Sequence, residues 1–149
     1  DRIVTGWGAS LSGIWQFAQN TSLCFQGVYG KGISNYIQDI SGTGLDLVPN
    51  ATAEGKLKAI RAWGGYIGFS HNWCKALTSN IMYSYARVLD RYGMPATSYK
   101  YAQYAAANLF WDFSEYGSCA IEYVFGRRND FNKDYGNASR INTMIQYRF

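Results

Sequence analysis

No stretch of this 149-residue chain holds the roughly 18 consecutive apolar residues that a membrane-spanning helix needs. A bilayer crossing by this chain would therefore have to be made by strands. Histidine occurs once, at His71, which leaves little material for imidazole catalysis or metal ligation. Charged residues make up only 16% of the chain, below the quarter or so usual in soluble domains. The net charge of +4 is spread without a Lys/Arg run, so no stripe for tracking a nucleic-acid backbone exists. The three cysteines, Cys24, Cys74 and Cys119, lack metal-ligand spacing, and an odd number leaves at least one thiol unpaired. No glycine cluster opens a helix, which removes phosphate-cradling loops. The Asn-x-Ser/Thr matches at Asn20, Asn50 and Asn137 are patterns short enough to arise by chance and carry no weight.

Aromatic residues are abundant instead, at 17% of the chain with 13 Tyr and 5 Trp. Such side chains favour places that are apolar at one end and wet at the other, as at a membrane interface or a sugar-binding surface. The last eleven residues show how they are arranged. Ile141, Thr143, Ile145, Tyr147 and Phe149 share one face of a strand, and Arg140, Asn142, Gln146 and Arg148 share the other. Apolar residues outward, polar residues inward and aromatics at the ends is the pattern of a transmembrane β-barrel strand. A soluble antiparallel sheet shows the same alternation and is the competing reading.

Six further alternating segments precede it, at about 5–17, 23–36, 60–73, 77–88, 99–113 and 118–127, each bounded by turn-forming residues. Gly64-Gly65 marks a possible bulge in the third. Three connections are short, at Gln19-Asn20-Thr21, Cys74-Lys75 and 114–117, while those at 38–58, 89–98 and 128–138 are longer and polar. Barrels of outer membranes sort their connections this way, with short periplasmic turns and long extracellular loops. If Phe149 ends in the periplasm, the first segment descends from the extracellular side. Complete barrels have an even number of strands and start in the periplasm, so Asp1 is expected to be a cut, or else a strand lies hidden near Leu45, Leu47 and Val48. Residues 1–149 are thus expected to form the carboxyl-terminal part of one barrel domain.

Ordered pieces of the chain carry a resemblance to a known family. They are TGWGASLSG at 5–13, YGKGISNYI at 29–37, AWGGYIG at 62–68, YAAANLFW at 104–111, EYVFG at 122–126 and GNASR at 136–140, continuing to Phe149. Together they resemble the trimeric DcaP-like porins of Gram-negative bacteria, over nearly the whole chain. The resemblance implies about seven strands of a barrel of about sixteen, located in the bacterial outer membrane, assembled as a homotrimer and passing small solutes passively. It implies a preference for small anions such as dicarboxylates. The terminal Tyr147-x-Phe149 resembles the signal read by the outer-membrane assembly machinery. An amino-terminal region expected in that family is absent, and three cysteines are unusual for it.

By alternation, Lys100, Glu122, Arg128, Arg140, Asn142 and Gln146 are expected to line the pore, with Arg148 near its rim and Arg61 and Arg87 near the outer mouth if the register shifts. A basic wall concentrates anions, most strongly at low salt. The alternative is that these Arg residues pair with carboxylates and serve to hold the wall. No enzyme is expected, since neither His71 nor Cys74 has an orienting third group or an oxyanion donor. His71 is expected beside an aromatic girdle. No cofactor or metal is expected. Cys24 and Cys74 fall near the same end of neighbouring strands and could approach, which the oxidising periplasm would permit to bridge. Two other classes stay open: a soluble lipocalin-like barrel with apolar residues inside, and an adhesin acting through its external loops.

Overall fold

The computed structural model describes residues 3–49 and 56–149; Asn50 lies outside the described residues. Seven long strands, β1 (Trp7–Ala18), β2 (Thr21–Lys31), β5 (Arg61–Cys74), β6 (Leu77–Val88), β7 (Tyr99–Asp112), β8 (Gly117–Asp130) and β9 (Tyr135–Tyr147), form one antiparallel sheet. Each pairs with its predecessor in sequence order, and β1 and β9 are the two edges. A small hairpin, β3 (Leu47–Pro49) with β4 (Leu57–Ala59), is inserted between β2 and β5. No further barrel strand lies near Leu45, Leu47 and Val48: Leu47–Pro49 is a three-residue strand of this separate hairpin, and the main sheet keeps seven strands among the described residues.

The sheet has two unlike faces. Toward one of them fold the residues after β2, which include two single-turn 3₁₀ helices at Ser34–Tyr36 and Gln38–Ile40. Ile33, Ile37, Ile40 and Val48 pack there on Ala62, Ala86, Val88 and Tyr99, and this is the buried core. We call it the inner face. Room for the loop comes from missing side chains: a Cβ at Gly8 would stand 3.1 Å from Ile33, and one at Gly64 would stand 3.0 Å from Ile37. The alternation predicted strand through residue 36, but β2 stops at Lys31. Gly32, at φ +67°, turns the chain and donates its N–H to Ile60 O at 2.8 Å.

Other expectations are corrected in register. The ladder runs unbroken through Gly64 and Gly65, and the irregularities fall at Gln16/Ala18, Asn72/Cys74 and Tyr99/Tyr101. A Cβ at Gly65 would meet Gln26 O at 2.5 Å, so that glycine serves close strand approach and not a bulge. The connection expected over 128–138 shrinks to 131–134, because β8 runs on to Asp130 and β9 starts at Tyr135. Lys133 at φ +75° and the bond from Asp130 N to Asp134 O close it tightly. The last strand ends at Tyr147, with Arg148 N bonded to Tyr116 O and Phe149 beyond the ladder. All three cysteines are free. Cys24 lies opposite Gly68, six residues up β5 from Cys74, so the ladder keeps the two apart.

Candidate pore wall

The outer face carries large apolar side chains in solvent-exposed positions, Ile145 at 84% and Ile141 at 67% among them. These sit between two aromatic belts. At the long-loop end Trp7 meets Tyr29 at 5.7 Å, and Trp63, Tyr85 and Tyr101 stack in a row at 5.0 and 5.5 Å. At the short-turn end Trp15, Phe17 and Phe69 form one group, Trp111 and Phe113 another, and Tyr116, Tyr147 and Phe149 a third. Trp63 and Trp73 bracket about 33 Å of strand, or about 25 Å of height after the tilt usual in barrels, the thickness of an apolar membrane band. His71 stands in the lower belt, 4.6 Å from Trp73, with Nδ1 2.9 Å from Thr21 Oγ1. A soluble ligand-binding barrel turns its apolar face inward; here the exposed aromatic and aliphatic side chains crowd the face away from the loop.

The inner face is polar along one continuous row. Register aligns Gln16, Ser22, Ser70, Asn80, Asn108, Glu122 and Asn142 across all seven strands. Asn80 Nδ2 donates to Asn108 Oδ1 at 2.7 Å, Asn108 Nδ2 to Glu122 Oε2 at 3.3 Å, and Asn142 Nδ2 to Glu122 Oε1 at 2.9 Å. Both carboxylate oxygens of Glu122 are therefore engaged, which fixes the side chain flat along the wall. One row nearer the loops the same face offers Ile14, Cys24, Met82, Val124 and Arg140, so Arg140 extends from a mostly apolar row.

Of the other residues singled out in the sequence, Gln146 lies opposite Ser118 on this face, and Arg128 lies between Ala102 and Gly136. Arg128 is paired: its Nε reaches Asp130 Oδ1 at 2.9 Å, and its guanidinium lies 5.6 Å over the Tyr99 ring. Lys100 sits in the Tyr99/Tyr101 irregularity with no ladder partner. Tyr99 is the side chain turned into the core, donating its hydroxyl to Ala86 O at 3.1 Å. Arg87 pairs with Trp63 and Tyr101, on the outer face. Arg61 grips Asp90 with Nη2 at 2.6 Å and Nε at 2.9 Å, tying the start of β5 to the chain leaving β6.

Alternation could not reveal Asp39. The Gln38–Ile40 turn holds it over the inner face, where it borders two hollows: one of about 280 Å³ beside Gln26, Tyr66 and Ser84, and one of about 370 Å³ beside Tyr104, Arg128 and Ala138. Asp39 stays exposed at the surface of the loop, but the partial desolvation of its carboxyl pushes its pKa up. Asp39 and Glu122 thus oppose Arg128 and Arg140, and Asp130 offsets Arg128, so the wall is less basic than strand alternation alone suggests. Among the described residues no group of His, Cys, Asp and Glu could hold a metal ion.

An antiparallel sheet with an apolar girdled outer face, a polar inner face and an inward-folded loop has the build of a transmembrane β-barrel wall. No protein-family model and no curated protein matches the sequence. Among solved structures, the chain is similar to the outer membrane channel DcaP of Acinetobacter baumannii, with a TM-score of 0.78 over 97% of this chain at 20% identity. The chain spans 41% of that protein's length. The likeness establishes the fold, an all-β transmembrane barrel architecture.

Proposed function

We propose that this chain forms part of the wall of an outer-membrane porin through which small hydrophilic solutes diffuse passively. The observation that carries this reading is the pairing of an unbroken polar row, from Gln16 to Asn142, with an opposite face of exposed apolar residues between two aromatic belts. A sheet so built needs water on one side and hydrocarbon on the other. The two open edges, β1 and β9, would expose unpaired backbone groups to lipid, and further strands closing the ring remove that cost.

The long-loop end then faces outward from the cell and the short turns face the periplasm. Tyr147 and Phe149, adjoining in the lower belt, fit an assembly signal read from the periplasmic side. A homotrimer accords with the family resemblance and with an outer face broad enough to meet both lipid and neighbours. Preference for small anions such as dicarboxylates is proposed as shallow: Arg140 and Arg128 favour it, while Glu122, Asp130 and Asp39 oppose it. Nothing in this reading asks for chemistry on the solute.

Planar-bilayer recording of the full-length protein under a salt gradient tests the proposal. Discrete channels with a small anion-favouring reversal potential are expected. Absence of channels in correctly folded protein would end the porin reading, and a cation-favouring potential would end the anion preference alone.

A further inference from the structure

Charge on the outer face is distributed in one place and with one sign. Among the described residues, no outward-facing position of the seven long strands carries Asp or Glu. The cations Lys31, Arg61, Arg87 and Arg127 all lie at the long-loop end, within the upper aromatic belt. Arg61 is neutralised by Asp90. Arg127 is held by Asn129 and lies over the Tyr135 ring. Lys31 and Arg87 have no carboxylate partner among the described residues, and the buried Nε of Arg87 has no hydrogen-bond partner at all. The rest of the guanidinium is within hydrogen-bonding reach of the Tyr85 hydroxyl, so at the edge of an apolar band Arg87 has one neutral partner and a buried Nε that an anion could satisfy.

Directly beneath these cations the outer face is hollow. Gly27 and Gly65 are paired across β2 and β5, and the absence of two side chains there leaves an open groove of about 830 Å³. Leu11, Tyr29, Trp63, Ile67, Tyr83 and Tyr85 form its sides. The groove is apolar and lies within the band between the belts; Tyr29 and Trp63 bound its upper end, with Lys31 the next outward residue above Tyr29 on β2 and Arg87 beside Trp63 in the ladder.

We propose that this groove and its cations form a binding site for a phosphorylated membrane lipid, with the headgroup phosphate at Lys31 and Arg87 and an acyl chain lying over Gly27 and Gly65. The inference rests on the outer-membrane reading above, with the long-loop end in the outer leaflet. Guanidinium suits phosphate because it offers parallel N–H donors, and headgroups lie at the level of the aromatic belt. A cation above an apolar trough matches a lipid in both its parts, whereas a free anion would use only the first.

Native mass spectrometry of the full-length protein, released from detergent with the phosphorylated lipid A disaccharide or the same lipid stripped of phosphates, tests the site. The phosphorylated form is expected to be retained roughly tenfold better, the scale of one charge-assisted hydrogen bond. Lys31→Gln with Arg87→Gln should reduce its retention to that of the stripped form. Gly27→Leu fills the groove without touching a neighbour, since a Cβ there has nothing within 4 Å, and should weaken both lipids alike. Equal retention of the two lipids by the unaltered protein, an unchanged double variant, an unchanged Gly27→Leu variant, or full displacement by inorganic phosphate would overturn the proposal. Conductance of the same preparations separates the two readings: phosphate-dependent capture by a protein that forms no channels would end the porin and leave the lipid site standing.

Discussion

Asn142 donates to Glu122 at 2.9 Å from the position directly opposite it in the β8–β9 ladder, and the second carboxylate oxygen accepts from Asn108 on the other side. The negative charge is thereby spread along a fixed amide rail. Glu122→Gln keeps the shape and removes the charge, so the reversal potential should move toward anions while the protein stays folded. Glu122→Ala should cost about 1 kcal/mol for the lost bonds, read as a lower midpoint in denaturant titration, because water can reach the released amides.

Arg140 stands on the inner face without an ion-pair partner among the described residues, in contrast to Arg128 with its Asp130. Arg140→Gln should lower the anion-to-cation permeability ratio by roughly twofold at low ionic strength, with the difference vanishing near 1 M salt, where the screening length is about 3 Å. Arg128→Gln should have a smaller effect, since it also frees Asp130. Equal effects of the two substitutions would show that the Arg128–Asp130 contact does not control the field.

The loop is fastened by apolar contact, so it should be removable by weakening that contact. Ile40 is fully buried, and Ile40→Ala should destabilise the docked loop by about 2–5 kcal/mol without disturbing the sheet ladder. Gly64→Val should act from the opposite side by displacing Ile37. Both variants are expected to show higher single-channel conductance and faster proteolytic nicking within 41–46. A variant with a nicked loop and unaltered conductance would mean that the loop does not narrow the passage.

The two loop carboxylates should respond to pH with opposite signs. Loss of hydration raises the pKa of Asp39, so the docked loop holds its proton more tightly than an undocked one. Docking therefore strengthens as pH falls through the raised value and levels off below the ordinary aspartate range. Selectivity should move toward anions over the same interval, and Asp39→Asn should abolish the shift. Asp90 is held below the usual range by hydrogen bonds from Arg61, so its contribution is complete above the ordinary value and is lost only as pH falls through the lowered one. Hydrogen exchange of residues 89–98 against pH would record that loss.

Strand alternation made the seven strands and their two faces legible, because a period of two survives wherever one side is wet and the other is not. Leu77–Val88 needed no adjustment. The loop was not legible: Ile33, Tyr36 and Ile37 look like a continuation of β2, and only the turn at Gly32 and the small residues of three other strands send them inward. The place of Asp39 on the inner face, bordering the same hollow as Arg128, depends on that packing and has no signature of its own. Arg128 and Asp130, two residues apart on one face, were in view in the sequence, but their pairing became plain only once β8 proved to extend through both. The irregularities at Asn72/Cys74 and Tyr99/Tyr101 contain no glycine, so the residue used to place a bulge in the sequence was no guide to them.

The order of strands in the sheet also governs how it can be made. Every long strand finds its partner in the long strand just before it, so pairing can advance hairpin by hairpin with little chain to gather at each step. The step from β2 to β5 differs, because residues 32–60 must be looped out first. Swift zipping from β5 to β9, followed by slower capture of the first hairpin, is the kinetic order this topology favours.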